Sequence, residues 1–388
     1  MGGDPRVPLS TVLRQWGRIG CIGFGGPPAH IALLRKLCVQ DREWLDAREF
    51  EDAIAACNLL PGPASTQLAI FCAWRVRGRP GALVGGAAFI IPGLTLILAL
   101  AVLFLAGNPP VWVKAAGAGA GAAVAAVAVQ AGTSLIPASW RRVPQHSSRL
   151  RWTVYLVAGA AAAATLGPWL VLVLVGCGLT EVIAQRPPAL RDRRPPIAGL
   201  PAFAASGVGA TALLSIAWVA VKVGALSYGG GFVIIPLMQS DAVNRYHWMS
   251  AAQFLNAVAL GQITPGPVVQ TVAVVGYAAG GIGGGLLAAT VAFTPSFAFV
   301  LLGAHRFDHI RGNPRVRAFL DGAGPAAIGA ILGSAIPLSA ALTQPWQYAV
   351  LTGAALLLLL LHRGVVLTLL SAAAVGIVIA LAGGPLPH

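Results

Sequence analysis

The feature that most constrains the fold of this chain is a Pro-Gly-Pro sequence that occurs twice within apolar stretches. Residues 58–67 read NLLPGPASTQ and residues 262–271 read QITPGPVVQT, so that Pro265 follows Pro61 by 204 positions. Other residues pair at the same offset: Gly20 with Gly224, Phe24 with Tyr228, Gly25 and Gly26 with Gly229 and Gly230, Trp44 with Trp248, and Phe50 with Phe254. One offset that runs through so many positions predicts a duplicated unit with a broken helix in each copy.

The composition places this duplicated unit in a membrane. The chain of 388 residues is 57% hydrophobic and only 10% charged, whereas soluble proteins carry about 25% charged residues. Several apolar runs are long enough to cross a bilayer, which takes about 20 residues: 82–106, 115–136, 286–304 and 318–337. The first residues do not resemble a cleavable signal peptide. The sequence therefore predicts an all-α polytopic membrane protein.

The charged residues and cysteines exclude several classes of function. The net charge of +14 does not indicate a nucleic-acid partner, because most arginines lie in short loops between apolar runs, where they set membrane orientation. The five cysteines form no Cys-x-x-Cys motif and no cluster with histidine, so no metal and no cofactor are expected. Redox chemistry on a substrate is not expected either.

A basic, proline-rich linker divides the chain into two repeats, and loop charges give their relative orientation. We assign residues 1–185 to the first transporter repeat, 186–196 to a basic cytoplasmic linker, and 197–388 to the second transporter repeat. The matched loops differ in charge as follows: three arginines in 75–79 and none in 279–285, one lysine in 107–114 and four arginines in 306–317. Because positive loops face the cytoplasm, the tandem homologous repeats are predicted to have inverted topology.

The number of spans and the side of the N-terminus stay open at this stage. Strict inversion would place the N-terminus outside, whereas Arg6, Arg14 and Arg18 favour the cytoplasm. Residues 152–184 are too long for one span and contain Gly167-Pro168, so two short helices are predicted there.

Each Pro-Gly-Pro sequence predicts a binding site for an anion. The prolines remove backbone donors and bend the chain, and the second proline suits the first turn of a new helix. The N–H groups at the start of that helix can bind an anion, and the side chains that follow add donors. The predicted substrate-binding residues are Pro61, Gly62, Pro63, Ser65, Thr66, Gln67, Pro265, Gly266, Pro267, Gln270 and Thr271. The alternative is that both breaks are only kinks needed for packing.

Glycine-rich sequences form a second matched motif. Residues 23–28 read GFGGPP and residues 227–231 read SYGGG, which allows the backbone to unwind or to approach a ligand closely. We therefore add Gly25, Gly26, Gly229 and Gly230 to the substrate-binding residues. Close packing of helices explains the motif equally well. A P-loop is excluded, because no Gly-Lys-Ser/Thr follows.

Four ionisable residues near the breaks are candidates for ion or proton coupling. Asp52 lies on the helix before the first Pro-Gly-Pro and aligns with Asn256. Arg18 and Lys222 align with each other just before the glycine motifs and could balance a dianion, although both could equally extend to the headgroups. His30 follows the first glycine motif and could cap a helix or relay a proton.

Taken together, the motifs FGGPPAH (24–30), LPGPASTQLA (60–69), SYGGG (227–231) and TPGP (264–267) resemble the chromate ion transporter family in its long, two-domain form. The resemblance covers nearly the whole chain. It implies a multi-pass protein of the cell inner membrane that expels chromate and confers chromate resistance. The second copy departs from the first, with Gly231 in place of Pro27 and Ile234 in place of His30, so the copies are expected to play unequal roles.

The sequence therefore predicts a secondary transporter that exports chromate by alternating access, with the oxyanion between the two Pro-Gly-Pro helix N-termini. A carrier of sulfate or another tetrahedral oxyanion is the alternative, and a channel is a further one. An enzyme is not expected, because clustered histidines, cysteines or carboxylates at membrane depth are lacking, and no catalytic residue is assigned. The expected partners are the oxyanion, the lipid bilayer and, as one option, a second copy in a homodimer.

Overall fold

The computed structural model describes residues 7–57, 62–141, 143, 146–166, 169–185, 211–227, 233–303 and 313–387. In these ranges the chain is helical and contains no strand. The helices are α1 (Leu9–Ile22), α2 (Pro27–Arg35), α3 (Ala47–Cys57), α4 (Ala64–Phe104), α5 (Val111–Trp140), α6 (His146–Thr165), α7 (Leu170–Ala184), α8 (Thr211–Leu226), α9 (Ile234–Gln239), α10 (Ala251–Ile263), α11 (Thr271–Gly303), α12 (Pro314–Ala340), α13 (Pro345–Ala355) and α14 (Val365–Leu381). The predicted all-α class is confirmed.

Four of these helices, α4, α5, α11 with its preceding turn, and α12, are long and apolar enough to cross a membrane. Shorter apolar helices include α7, α8, α13 and α14. The predicted pair of short helices within 152–184 corresponds to α6 and α7, although Gly167 and Pro168 between them lie outside the described residues. The chain is therefore a multi-pass membrane protein.

Two of the long helices are each folded back on themselves. The backbone of α4 leaves helical geometry at Arg77 and Gly78. A β-carbon added at Gly81 would lie only 2.3 Å from the carbonyl oxygen of Ala73, a contact that a straight helix could not make over eight residues. The same holds in α11, which breaks at Gly280 and Gly281. A β-carbon added at Gly284 would also lie 2.3 Å from the carbonyl oxygen of Gly276. Each of these helices thus consists of a short segment and a long one.

The short segments form re-entrant hairpins with the helices that precede them. The carboxylate of Glu49, in the first turn of α3, pairs with the guanidinium of Arg75, at the end of the short segment of α4. The two limbs therefore start and finish at the same end of the molecule, with the first Pro-Gly-Pro near the tip. In the other hairpin, a β-carbon on Gly261 of α10 would lie 1.9 Å from the hydroxyl of Thr271 in α11. Gly62-Pro63 and the second Pro-Gly-Pro are thus at hairpin tips and are not kinks in through-going helices.

A second kind of hairpin has the glycine motif at its tip. Trp16 of α1 stacks on Trp44, beyond α2, with ring centroids 6.1 Å apart, so α1 and the segment after α2 run side by side. Gly25 and Gly26 lie in the tip between α1 and α2. In the second half, α8 and the segment after α9 are joined by the ion pair of Lys222 with Asp241.

Several unusual local conformations recur at the predicted offset. A π-helical turn follows α2 at Lys36–Asp41, and another follows α9 at Ser240–Arg245. Glu43 and His247 both have positive φ, of 51° and 50°. These matches are what the duplication hypothesis predicts. After the Pro-Gly-Pro sequences the best correspondence shifts by one residue: Gln67 with Gln270, Gly78 with Gly281, and Pro92 with Pro295.

The long segments of α4 and α11 cross in antiparallel directions. A β-carbon added at Gly86 of α4 would lie 2.5 Å from the ring of Phe297 in α11. One added at Gly285 of α11 would lie 2.6 Å from the side chain of Leu98 in α4. Residues early in the long segment of α4 thus contact residues late in α11, and the reverse. The breaks at 77–78 and 280–281 therefore lie at opposite ends of the bundle, and the Pro-Gly-Pro hairpins extend inward from opposite ends.

The last helices of each half pack on the other half. α6 and α7 pack on α12, and α13 and α14 pack on α5. Glycines allow the backbones to touch: a β-carbon at Gly159 would lie 1.9 Å from the carbonyl oxygen of Ala326, and one at Gly119 would lie 2.1 Å from that of Ala372. Small residues at helix contacts are typical of membrane proteins. The halves are therefore interlocked, while the repeat boundaries stay a prediction from sequence.

Candidate functional site

The tip between α1 and α2, which we call the glycine tip, contacts the second Pro-Gly-Pro sequence, at the tip between α10 and α11. The N–H of Gly266 donates a hydrogen bond to the carbonyl oxygen of Gly23 at 3.0 Å. A β-carbon added at Gly26 would lie 3.8 Å from the side chain of Val268, directly after the second Pro-Gly-Pro. Backbone that far from regular helix needs partners within the protein, since lipid supplies none.

The Pro-Gly-Pro tip of the first half contacts the second half in the same way. A β-carbon at Gly62 would lie 3.3 Å from the carbonyl oxygen of Gly224 in α8 and 3.4 Å from the hydroxyl of Ser296 in α11. In the opposite direction, a β-carbon added at Gly93 of α4 would lie 2.0 Å from the carbonyl oxygen of Pro265. Each Pro-Gly-Pro tip therefore packs against the long helix of the other half. We call the meeting point the tip cluster, which comprises 23–26, 62–67, Ser227 and 264–271.

A glutamine lies over the glycine of each Pro-Gly-Pro sequence. The amide nitrogen of Gln67 is 2.6 Å from where a β-carbon of Gly62 would be, and that of Gln270 is 3.1 Å from the corresponding point on Gly266. Both glycines also have positive φ, of 114° and 96°, which side chains rarely adopt. Gln270 donates a hydrogen bond to the carbonyl oxygen of Ile90 at 2.8 Å. Only glycine suits these two positions.

The start of α4 places three polar residues inside the cluster. Pro63 precedes the helix and provides no side-chain cap, so the first turn is not satisfied by its own N-cap side chain. Ser65, Thr66 and Gln67 follow and are all buried. The predicted substrate-binding residues Pro265, Pro267 and Thr271 are buried around the second tip. Gly25 is exposed at the edge of the cluster, whereas Pro61, Gly229 and Gly230 lie outside the described residues.

Buried polar atoms that pair with none of the described residues are concentrated here. The following side-chain atoms in or beside the cluster are buried and make no hydrogen bond to the described residues: Thr66 Oγ1, Ser227 Oγ, Gln262 Nε2, Gln270 Oε1 and Ser296 Oγ. Buried polar groups in native proteins are nearly always paired, so such a group of unpaired atoms needs a further ligand or water. The three hydroxyls and the Gln262 amide nitrogen can donate to an anion, whereas Gln270 Oε1 can only accept, as from a water molecule. The sequence singled out Thr66 and Gln270. It missed Ser227 and Gln262, although both stand in the repeated motifs, and Ser296, which only the packing brings to the first tip.

His30 connects the two hairpins of the first half. Its Nε2 lies 2.9 Å from the carbonyl oxygen of Gly23, and its Nδ1 lies 3.3 Å from the hydroxyl of Ser65. A carbonyl oxygen only accepts, so Nε2 carries a hydrogen, and in the neutral form of the ring Nδ1 accepts from Ser65. The edge-to-face contact with Phe89, at 5.0 Å between ring centroids, fixes the ring further. His30 therefore positions Ser65 and the glycine tip.

The other coupling candidates lie in different surroundings. Arg18 is exposed on α1 and Asp52 is half-buried on α3. Lys222, which aligns with Arg18, is largely buried and pairs with Asp241. Sequence reasoning missed Asp241, although it is the one acidic residue between 197 and 307. Among the described residues, no three His, Cys, Asp or Glu side chains are grouped as metal ligands would be.

Comparison with known proteins gives the family. The model of the chromate transporter family matches residues 10–182 and 214–377. The chromate transport protein of Cupriavidus metallidurans is 32% identical over 346 residues, which cover 86% of this chain and 84% of that protein. The chromate transport protein of Pseudomonas aeruginosa is 30% identical over 350 residues, 86% of this chain and 82% of that protein.

A more distant relative is an uncharacterized transporter of Methanocaldococcus jannaschii, 26% identical over 322 residues, 78% of this chain and 77% of that protein. No solved structure matches. All three relatives are named as transporters or transport proteins and none as an enzyme, which confirms the expectation that this chain is not one. The chain belongs to the chromate transporter family.

Proposed function

We propose that this protein exports chromate from the cytoplasm across the inner membrane, with the oxyanion bound in the tip cluster. The observation that carries the proposal is the group of unpaired buried polar atoms at the point where the hairpins meet. Membership in the family supports chromate as the transported ion.

The chemistry of the tip cluster favours an anion over a cation. Its described residues offer hydroxyl groups, amide groups and the N–H groups at the start of α4, and they include no carboxylate. Helix N-termini bind anions without any net charge, because their N–H groups are free and the helix dipole is positive there. A tetrahedral dianion can accept several such hydrogen bonds at once.

The arrangement of the halves supports alternating access. The Pro-Gly-Pro hairpins approach the centre from opposite ends, as expected for inverted repeats around a midplane site. Loop arginines at 75–79 and 306–317 favour opposite orientations of the matched segments. Rocking one half against the other would then expose the cluster to each side in turn. A negative-inside potential favours anion exit by about 2.3 kcal/mol per charge per 100 mV.

Transport of radiolabelled chromate into everted membrane vesicles tests the proposal. Saturable uptake that depends on membrane potential and persists with excess sulfate is the expected result. Uptake that sulfate fully displaces would assign the protein to sulfate or another oxyanion instead. Linear flux without saturation would indicate a channel.

Variants test the position of the site. Removing a hydroxyl with Thr66→Val or Ser296→Ala is expected to weaken chromate binding by about tenfold, because each removes one donor to a charged ligand. Thr95→Val is the matched control, since the Thr95 hydroxyl is exposed and already donates to the carbonyl oxygen of Ile91. Chromate affinity of the purified protein, measured by calorimetry, separates these cases. Equal affinities in all three variants would contradict the assigned site.

A further inference from the structure

The second half contains a buried ion pair that the proposed binding of chromate does not use. The ammonium of Lys222, in α8, pairs with Oδ2 of Asp241, in the π-helical turn after α9. The carboxylate of Asp241 is 1% exposed and the lysine side chain 13% exposed. The pair lies close to the tip cluster, because the carbonyl oxygen of Gly224, two residues after Lys222, contacts the Gly62 position.

The elements around this pair contain few other ionisable groups. Lys222 is the only charged residue of α8, and α9, α10 and α11 have none. Tyr277 is the one tyrosine of α11, and α12 adds Arg315, Arg317 and Asp321 in its first turns. Arg245, at the far end of the π-helical turn, lies over the ring of Tyr246 at 5.1 Å. The ammonium of Lys222 also lies 5.7 Å from the ring centre of Trp218.

The fold itself does not require the pair. At the matched position of the first half, Leu37 takes the place of Asp241, and the same π-helical turn forms there. Removing two charges from water costs several kcal/mol per ion, and apolar replacements of buried pairs are often neutral or stabilising. An ion pair present in one half only, inside a membrane, therefore points to a function.

One oxygen of the carboxylate has no hydrogen-bond partner among the described residues. Oδ1 of Asp241 is buried and accepts no hydrogen bond from the described residues. A proton can therefore add there without displacing a donor from the described residues. Protonation would neutralise the carboxylate and release the positive charge of Lys222, which lies about 7.5 Å along the helix axis from Ser227 at the tip.

We propose that Asp241 is the proton site of the transporter and that it competes with the oxyanion for Lys222. This inference rests on the proposed function and identifies the proton as the ion coupled to oxyanion transport. A proton from water adds to Oδ1 of Asp241, the ammonium turns toward the dianion in the tip cluster, and both ligands bind together. When the oxyanion leaves, the proton returns to water and the ion pair forms again.

Proton uptake on chromate binding tests this directly. Purified full-length protein in weakly buffered solution, at a pH where free chromate is the dianion, is mixed with chromate while an indicator dye follows the pH. Calorimetry follows binding in parallel. The wild-type protein is expected to take up about one proton per chromate bound, because the two binding steps are linked. The Asp241→Asn variant is expected to bind chromate with no uptake.

Two further variants keep the result interpretable. Glu181→Gln is the matched control, because Glu181 is also buried but its oxygens already accept from Arg151, Tyr155 and Gln185. It is expected to take up protons as the wild type does. The double variant Lys222→Met, Asp241→Leu leaves no unpaired charge and is expected to bind chromate more weakly with no uptake.

The outcomes separate the two proposals. Wild-type binding without proton uptake, or unchanged uptake in both Asp241 variants, would overturn the proton site and leave the proposed function intact. Absence of chromate binding by the wild-type protein would contradict the proposed function and remove the proton site with it.

Discussion

The two halves of this transporter share backbone conformations and differ in the chemistry that holds their hairpins. In the first half, the ring of His30 connects the glycine tip to Ser65. In the second half, Ile234 aligns with that histidine, and the ion pair of Lys222 with Asp241 joins the hairpin limbs instead. The comparison teaches that matched backbone conformations can be held by different chemistry, and on our proposals the first half positions donors while the second compensates charge.

The first test of this comparison is a bulky residue at either Pro-Gly-Pro glycine. Gly62→Leu and Gly266→Leu are each expected to lower chromate transport by about 100-fold, since displacements near 1 Å at a site have costs of that size. Both positions have positive φ and a glutamine amide within about 3 Å of the added carbon. Uptake into everted vesicles, normalised to protein in the membrane, measures the effect.

Gly283→Leu serves as the control, because a β-carbon there would meet no atom within 4 Å. A large loss in only one of the two Pro-Gly-Pro variants would show that the tips do not contribute equally. Full activity in both would remove the tips from the transport path.

A smaller effect is expected from replacing His30, whose matched position in the second half is Ile234. His30→Ala is expected to weaken chromate binding by about tenfold, because Ser65 and the Gly23 carbonyl each lose a hydrogen bond worth about 1 kcal/mol. Ile234→Val, at the aligned position, is expected to leave affinity unchanged. Calorimetric titration of both purified variants measures the difference. Equal losses would mean that packing, and not hydrogen bonding, is what matters at this position.

The smallest effect concerns the closure of the first Pro-Gly-Pro hairpin. Glu49→Gln removes the pairing with Arg75 and is expected to lower the free energy of unfolding by about 1 kcal/mol, since both groups are partly exposed. Thermal unfolding of the purified protein measures this. Glu51→Gln is the control, because its pair with Arg35 is more exposed. A larger shift for Glu51→Gln would contradict the role given to Glu49.

The candidate site could be predicted in part from local sequence. Gly62, Gly266, Thr66 and Gln270 follow from the motif itself, because proline and glycine dictate backbone breaks wherever they occur. The correspondence of Gln67 with Gln270 did not follow, because a one-residue shift after the motif hides it from a single offset. Ser296 was missed because it is far along the chain and becomes a neighbour of Gly62 only through packing.

The sequence by itself determined the membrane class, the helical content, the repeated motifs and the resemblance to the family, because hydropathy, charge and backbone restriction act over short stretches. Tertiary structure decided that the breaks lie at hairpin tips, that each tip contacts the opposite half, and that Lys222 pairs with Asp241. These depend on contacts between residues that are distant in sequence. Composition and spacing do not encode such contacts, because they arise from the packing of complementary small and polar surfaces.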